Sequence, residues 1–230
     1  HRNRLPQPNT VLRRCNHIPT NALTIVEMKN LANGLFHIVT IDERTPRCGG
    51  ILVAEPFLKD NYFSHGVVSL IDYLPEEGAT GIVMNNCTDY MLSDLLEGTQ
   101  PEVDLRVFCG GPLGLDRLYF VHTLGSDIVP GAREYSPGLY VGGDFDAVLD
   151  YINCGFDTNG IIRFFIGYSN WAPGQLEREI REGTWAQAPS TNFDADILRG
   201  EADSYWHRAV RTLGEAYRPW QLLPRTPSHN

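Results

Sequence analysis

Apolar and polar positions alternate in short blocks along this chain, and Gly and Pro punctuate the blocks. Residues 51–54 form a short apolar run that ends at Pro56, which reads as a strand. Residues 67–71 and 81–84 read as further strands. The Pro75-Glu76-Glu77-Gly78 connection between them suits a hairpin. Residues 91–96 predict a short helix. Residues 106–109 and 118–122 predict strands joined through Gly110-Gly111-Pro112. Residues 125–137 are rich in Gly, Pro and Ser and read as an exposed loop. Phe145, Val148, Leu149 and Ile152 then recur at helical spacing, with Asp144 as the N-cap and Gly155 as the stop. Residues 161–166 predict a strand that ends in a Gly-Tyr-Ser-Asn-Trp turn. A helix over 173–182 follows, with Leu176 and Ile180 on its core face. Trp206, Val210, Leu213 and Tyr217 mark one face of a last helix over 202–217. Strands outnumber helices and do not alternate with them in βαβ units. The expected class is α+β with a mixed sheet.

Composition narrows the picture. The 230 residues suffice for one domain with a sizeable core. Residues 1–48 carry seven Lys/Arg against three Asp/Glu, a net of +4, and read as an extension that is largely disordered at its start. Met28 reads as a natural start, and residues 36–41 as a short amphipathic segment packing on the domain. Residues 49–230 form the expected single domain. They carry twelve Lys/Arg against twenty-five Asp/Glu, a net of −13, so the whole chain stands at −9. A body of that charge repels a phosphate backbone, which argues against direct binding of nucleic acid. Five cysteines without C-x-x-C spacing read as reduced thiols, mostly buried, in a cytoplasmic protein, with no metal site. No stretch approaches the roughly 20 apolar residues of a membrane span.

The ordered blocks identify a resemblance. They are A-E-P-F-L at 54–58, G-I-V-M-N at 81–85, G-G-P at 110–112, L-Y-F-V-H at 118–122, G-L-Y-V-G-G-D-F-D-A at 138–147 and R-F-F-I-G-Y-S-N-W-A-P-G-Q-L-E at 163–177. G-T-W at 183–185 follows. In this order they resemble the YqgE/AlgH family over about residues 49–217. The resemblance implies a bacterial, cytosolic α+β protein with a mostly antiparallel, branched sheet rolled into a partial barrel with flanking helices. It implies no reaction; some members carry the label of transcriptional regulator. The chain departs from the family pattern at Asn86 and Cys87, where Arg or Lys and then Pro are usual. It departs again at Asn170 and Ala172, which replace glycines.

Several motifs invite a chemical reading. Ser169, between a strand and a helix, has the setting of a nucleophile elbow, but Trp171 breaks the G-x-S-x-G pattern. The later Asp194, Asp196, Asp203 and His207 would have to complete a triad; a turn satisfied by Ser169 and Asn170 is the plainer reading. Asp144 and Asp146 could hold a hard cation, but a helix N-terminus accounts for both. Arg163 in the middle of an apolar strand calls for an acidic partner, with Glu55 or Asp144 in reach by this reading. Tyr168, Trp171 and Trp185 would cover a groove or pack in the core. His122 ends a strand as a hydrogen-bonded residue. Glu55, Asn85, His122, Asp144, Arg163, Ser169 and Gln175 all fall at strand ends or turns, where convergence would make one polar pocket. The ligand- or partner-binding candidates are therefore Glu55, Asn85, His122, Asp144, Asp146, Arg163, Tyr168, Ser169, Trp171 and Gln175, with no catalytic set and no cofactor. The leading expectation is a regulatory domain that binds a protein partner without catalysis. The alternative is a small-molecule binder or an enzyme of another class, built on the 142–146 and 167–175 loops.

Overall fold

Short apolar runs between Gly and Pro become ten strands and five short helices in the computed structural model, which describes residues 45–96, 101–188 and 196–222. The strands are β1 (Ile51–Ala54), β2 (Val67–Leu74), β3 (Gly78–Val83), β4 (Cys87–Met91), β5 (Arg106–Cys109), β6 (Leu113–His122), β7 (Arg133–Ser136), β8 (Leu139–Val141), β9 (Ile162–Trp171) and β10 (Trp185–Ala188). The helices are α1 (Leu92–Leu95), α2 (Phe145–Asn153), α3 (Gln175–Arg181), α4 (Ala202–Thr212) and α5 (Arg218–Gln221). The described residues belong to one compact unit, Ile41–Asn230. Most of the N-terminal extension, including the segment at 36–41, lies outside the described residues.

The strands form one mixed, mostly antiparallel sheet in the order β10-β1-β2-β3-β9-β6-β8-β7, and it does not close. The sheet branches at β9. Its first half pairs in parallel with β5, Val107 opposite Phe164, while its second half pairs antiparallel with β3, Gly81 opposite Ser169. Its other edge pairs with β6. Its first half is buried on both faces, with Phe165 in one core and Phe164 in another, so its side chains are apolar in succession rather than alternation.

Three cores follow from this branching. Ile51, Val53, Val67, Ile82 and Phe165 point inward and are covered by Tyr205, Trp206, Ala209 and Val210 of α4. Leu52, Ala54, Val68 and Trp171 lie on the opposite face of the sheet, where Leu176 of α3 covers them. Phe120, Ile162 and Phe164 pack under Val148 and Ile152 of α2. Asp144 caps α2 by accepting from the Asp146 and Ala147 amides at 2.9 and 3.3 Å.

The structure corrects four expectations. The Gly-Tyr-Ser-Asn-Trp stretch is the second half of β9, because β3 supplies partners for its backbone. The 125–137 segment contains β7, and Val129, Tyr135 and Ser136 within it are buried. The last helix stops at Thr212, and Leu213 caps it before Gly214. Among the four described cysteines only Cys109 is buried; Cys48 and Cys87 are half-buried and Cys154 is exposed.

Candidate functional site

Gly110-Gly111 and Gly167-Tyr168-Ser169 face each other across a backbone contact that no side chain could enter. A Cβ on Gly110 would strike the Gly167 carbonyl, and one on Gly111 would strike the Tyr168 backbone and Ser169 Oγ. The Ser169 hydroxyl, 1% exposed, donates to the Gly110 carbonyl at 3.1 Å. Two motifs of the sequence are thus one packing joint, and the serine is a strand residue rather than an elbow. Tyr168 turns to the other face, edge-on to Tyr119 at 5.7 Å.

Trp171 and Gln175 belong to a second group, centred on a residue the sequence reading missed. Glu179 Oε2 accepts from the indole N–H of Trp171 at 2.9 Å and of Trp185 at 2.8 Å, while its Oε1 accepts from Gln175 Nε2 at 2.9 Å. Gln175 Oε1 in turn accepts from the Ala172 amide. Gln175 and Glu179 stand four apart on one helix face, the spacing that marks a side-chain pair. Beside them Tyr73 donates to Glu177 at 2.6 Å, and burial first, then that carboxylate, pushes the phenol well above its ordinary range.

Asn85 and Arg163 form the third group. The Asn85 side chain accepts from the Val67 amide and donates to the His65 and Ala202 carbonyls, all within 3.0 Å. His65 and Ala202 are the two non-glycine residues with positive φ among those described, +49° and +51°. One amide therefore secures two strained positions. The His65 ring bonds Asp203 at 2.9 Å and stacks on Trp206 at 4.5 Å. Arg163 meets neither Glu55 nor Asp144 as expected. Its Nη1 donates to the Met84 carbonyl at 2.6 Å and its Nη2 to Leu198 and Gly200 at 2.9 and 2.8 Å. The guanidinium lies 4.2 Å over the Phe108 ring, and burial lowers its pKa from the ordinary arginine value.

His122 sits on the other face of the sheet from Arg163. The Leu124 amide donates to its Nδ1 and its Nε2 donates to the Gly142 carbonyl at 3.1 Å, so the ring is the neutral Nε2–H tautomer. Burial holds its pKa below the usual value. Gly142 links it to Asp144, while Asp146 is exposed in the first turn of α2. Glu55 stands apart and accepts from the Phe57 amide. The ten candidates therefore fall into separate groups, and most of them use their polar atoms in bonds within the fold.

The family signature is distributed over all these groups. The AlgH-like family model matches residues 51–218. The chain belongs to the AlgH-like family. A UPF0301 protein of Parabacteroides distasonis is 38% identical over 192 residues, covering 84% of this chain and 96% of its own. One from Bacteroides thetaiotaomicron is 36% identical over 201 residues, covering 87% and 100%. The solution structure of AlgH from Pseudomonas aeruginosa superposes with a TM-score of 0.55 at 24% identity, covering 78% of this chain and 95% of that one. The crystal structure of DIP2367 from Corynebacterium diphtheriae gives 0.58 at 23%, covering 78% and 93%. These two likenesses speak for the shared AlgH-like fold alone. The departures from the family pattern lie at the surface or in half-buried positions. Asn170 accepts from Thr80 at 3.1 Å, Ala172 is exposed, and Cys87 Sγ lies 3.5 Å from Glu201 Oε2.

Among the described residues, exposed apolar side chains include Phe57, Ile128 and Phe156 as well as a pair of leucines on β6. Between Leu113 and Leu118, β6 bulges away from β9. Leu113 and Leu115 are 42% and 43% exposed on that bulge. Leu115 lies over Gly167, and Tyr168 lies against Gly114. Among the described residues no group of three or more His, Cys, Asp or Glu could hold a metal ion, and no helix is long and apolar enough to cross a membrane.

Proposed function

We propose that this chain is a regulatory binding domain that acts by docking on another protein, through Leu113, Leu115 and Tyr168. The exposed bulge of β6 carries the reading. It places two exposed leucines beside the half-buried Tyr168, and an apolar patch of that kind is a common mark of a protein-binding surface. Several candidates that could have done chemistry are instead committed to fold-keeping bonds, as with Ser169 on Gly110 and Asn85 on Val67, His65 and Ala202. The −13 of residues 49–230 fits a partner whose docking face is basic around an apolar centre. The same charge speaks against direct contact with DNA.

The test is a paired capture from the cytosol of the source organism with the wild-type chain and the double variant Leu113→Asp/Leu115→Asp. Both leucines are exposed, so the variant keeps its unfolding midpoint. The expected outcome is a protein retained by the wild type, lost by the variant, and released as salt rises. A capture profile identical for the two chains would sink the reading.

A further inference from the structure

Arg163 and Arg106 share a second environment that the packing does not use up. A cavity of about 210 Å³ opens between β5, the 158–160 loop and Leu198. Phe108, Phe164 and Leu198 are among its apolar walls. Its charged lining residues are Arg106 and Arg163, and no carboxylate lines it.

The charge of Arg163 is the anomaly. The residue is 7% exposed, and its three hydrogen bonds go to carbonyls. Carbonyl dipoles solvate a buried cation but leave its charge uncompensated. The acids of this region are already engaged, Glu201 at 3.8 Å from Arg106 Nε and Asp196 at 3.8 Å from Arg199 Nε, and no ion pair among the described residues includes Arg163. Arg106 is freer: half of its side chain is exposed, and its Nη1 donates to Thr88. Arg199 adds a cation behind the loop, donating to the Asn159 carbonyl at 3.3 Å. A fixed guanidinium, a movable one and apolar walls together match an anion with an apolar body. Bare phosphate would lose hydration against the apolar walls without a matching gain.

We infer that this cavity binds a small monocarboxylate with a compact apolar body, its carboxylate held by Arg106 and Arg163. The inference is independent of the protein-docking reading, since no residue is shared between the two surfaces. The probe is 4-fluorobenzoate, followed by fluorine NMR with the full chain. 4-Fluorobenzamide serves as the uncharged control and inorganic phosphate as the competitor. Saturable binding of the carboxylate is expected, with little binding of the amide and little competition by phosphate. Arg106→Gln, at an exposed side chain, keeps the fold and weakens binding about tenfold or more, the scale of one lost charge-assisted hydrogen bond. No saturable binding, equal binding of the amide, or equal binding by Arg106→Gln would each overturn the site. Tighter binding of phosphate than of the carboxylate would overturn the ligand class.

Discussion

His122 and Arg163 show how a single residue is decided by atoms that sequence does not display. His122 is fully buried and neutral, with Nδ1 receiving the Leu124 amide. A proton on Nδ1 would set two N–H groups against each other, and burial already lowers the folded pKa. The unfolded chain binds that proton at about pH 6.5. As pH falls below that value the unfolded state takes up more protons than the folded one, so stability declines until the lower folded pKa is reached. The expected contribution is a slope of at most about 1.4 kcal/mol per pH unit. His122→Phe lacks the titration, so its stability deficit at pH 8 narrows as pH falls toward 5. Urea unfolding across that range measures it, and a gap that stays constant would reject the assignment. In the sequence His122 was legible as a hydrogen-bonded strand end. Arg163 was legible as an oddity, but its partners were not. Carbonyls of Met84, Leu198 and Gly200 have no signature in residue type, so the search for an acid led to Glu55 and Asp144 instead.

Elements were readable where their own pattern sufficed and unreadable where a neighbour decided. β1, β5 and α2 carry their signals locally, α2 through Asp144 and its apolar spacing. β10 reads Trp-Ala-Gln-Ala, a poor strand by propensity, and exists because β1 offers it a ladder. The second half of β9 reads as a Gly-Tyr-Ser-Asn-Trp turn from its residue types, and Gly167 within it is no break. It is a close approach instead. Gly167 has φ +72°, and a Cβ there would stand 2.9 Å from Leu115 Cδ2 and 3.0 Å from the Leu113 carbonyl, besides striking Gly111. Gly142 has a similar φ of +66° with nothing within 4 Å. Gly142→Ala should therefore cost only the left-handed strain, about 1–2 kcal/mol. Gly167→Ala adds overpacking of about 1–3 kcal/mol to the same strain. Denaturant unfolding of the two variants separates the readings, and equal losses would show that the joint between β6 and β9 yields freely.

At the scale of the whole molecule, one strand is common to three cores. Phe165 enters the inner core, Trp171 the core under α3, and Phe164 the core under α2. No core can open without disturbing the strand that closes the other two. The family resemblance implies a branched sheet, but residue spacing does not show that the branch falls at β9, because it depends on β5 and β3 sharing one edge of that strand. Class and six of the ten strands could be read from spacing, while the sharing of β9 is a property of the assembled sheet. It predicts one cooperative transition rather than separate melting of sub-cores. Trp171→Ala and Phe164→Ala, in different cores, should each lower that single transition by about 3–5 kcal/mol. Scanning calorimetry decides the matter through the ratio of calorimetric to van't Hoff enthalpy, which should be near unity for the wild type and both variants. A second peak appearing in either variant would mean that the cores melt independently and that β9 does not couple them.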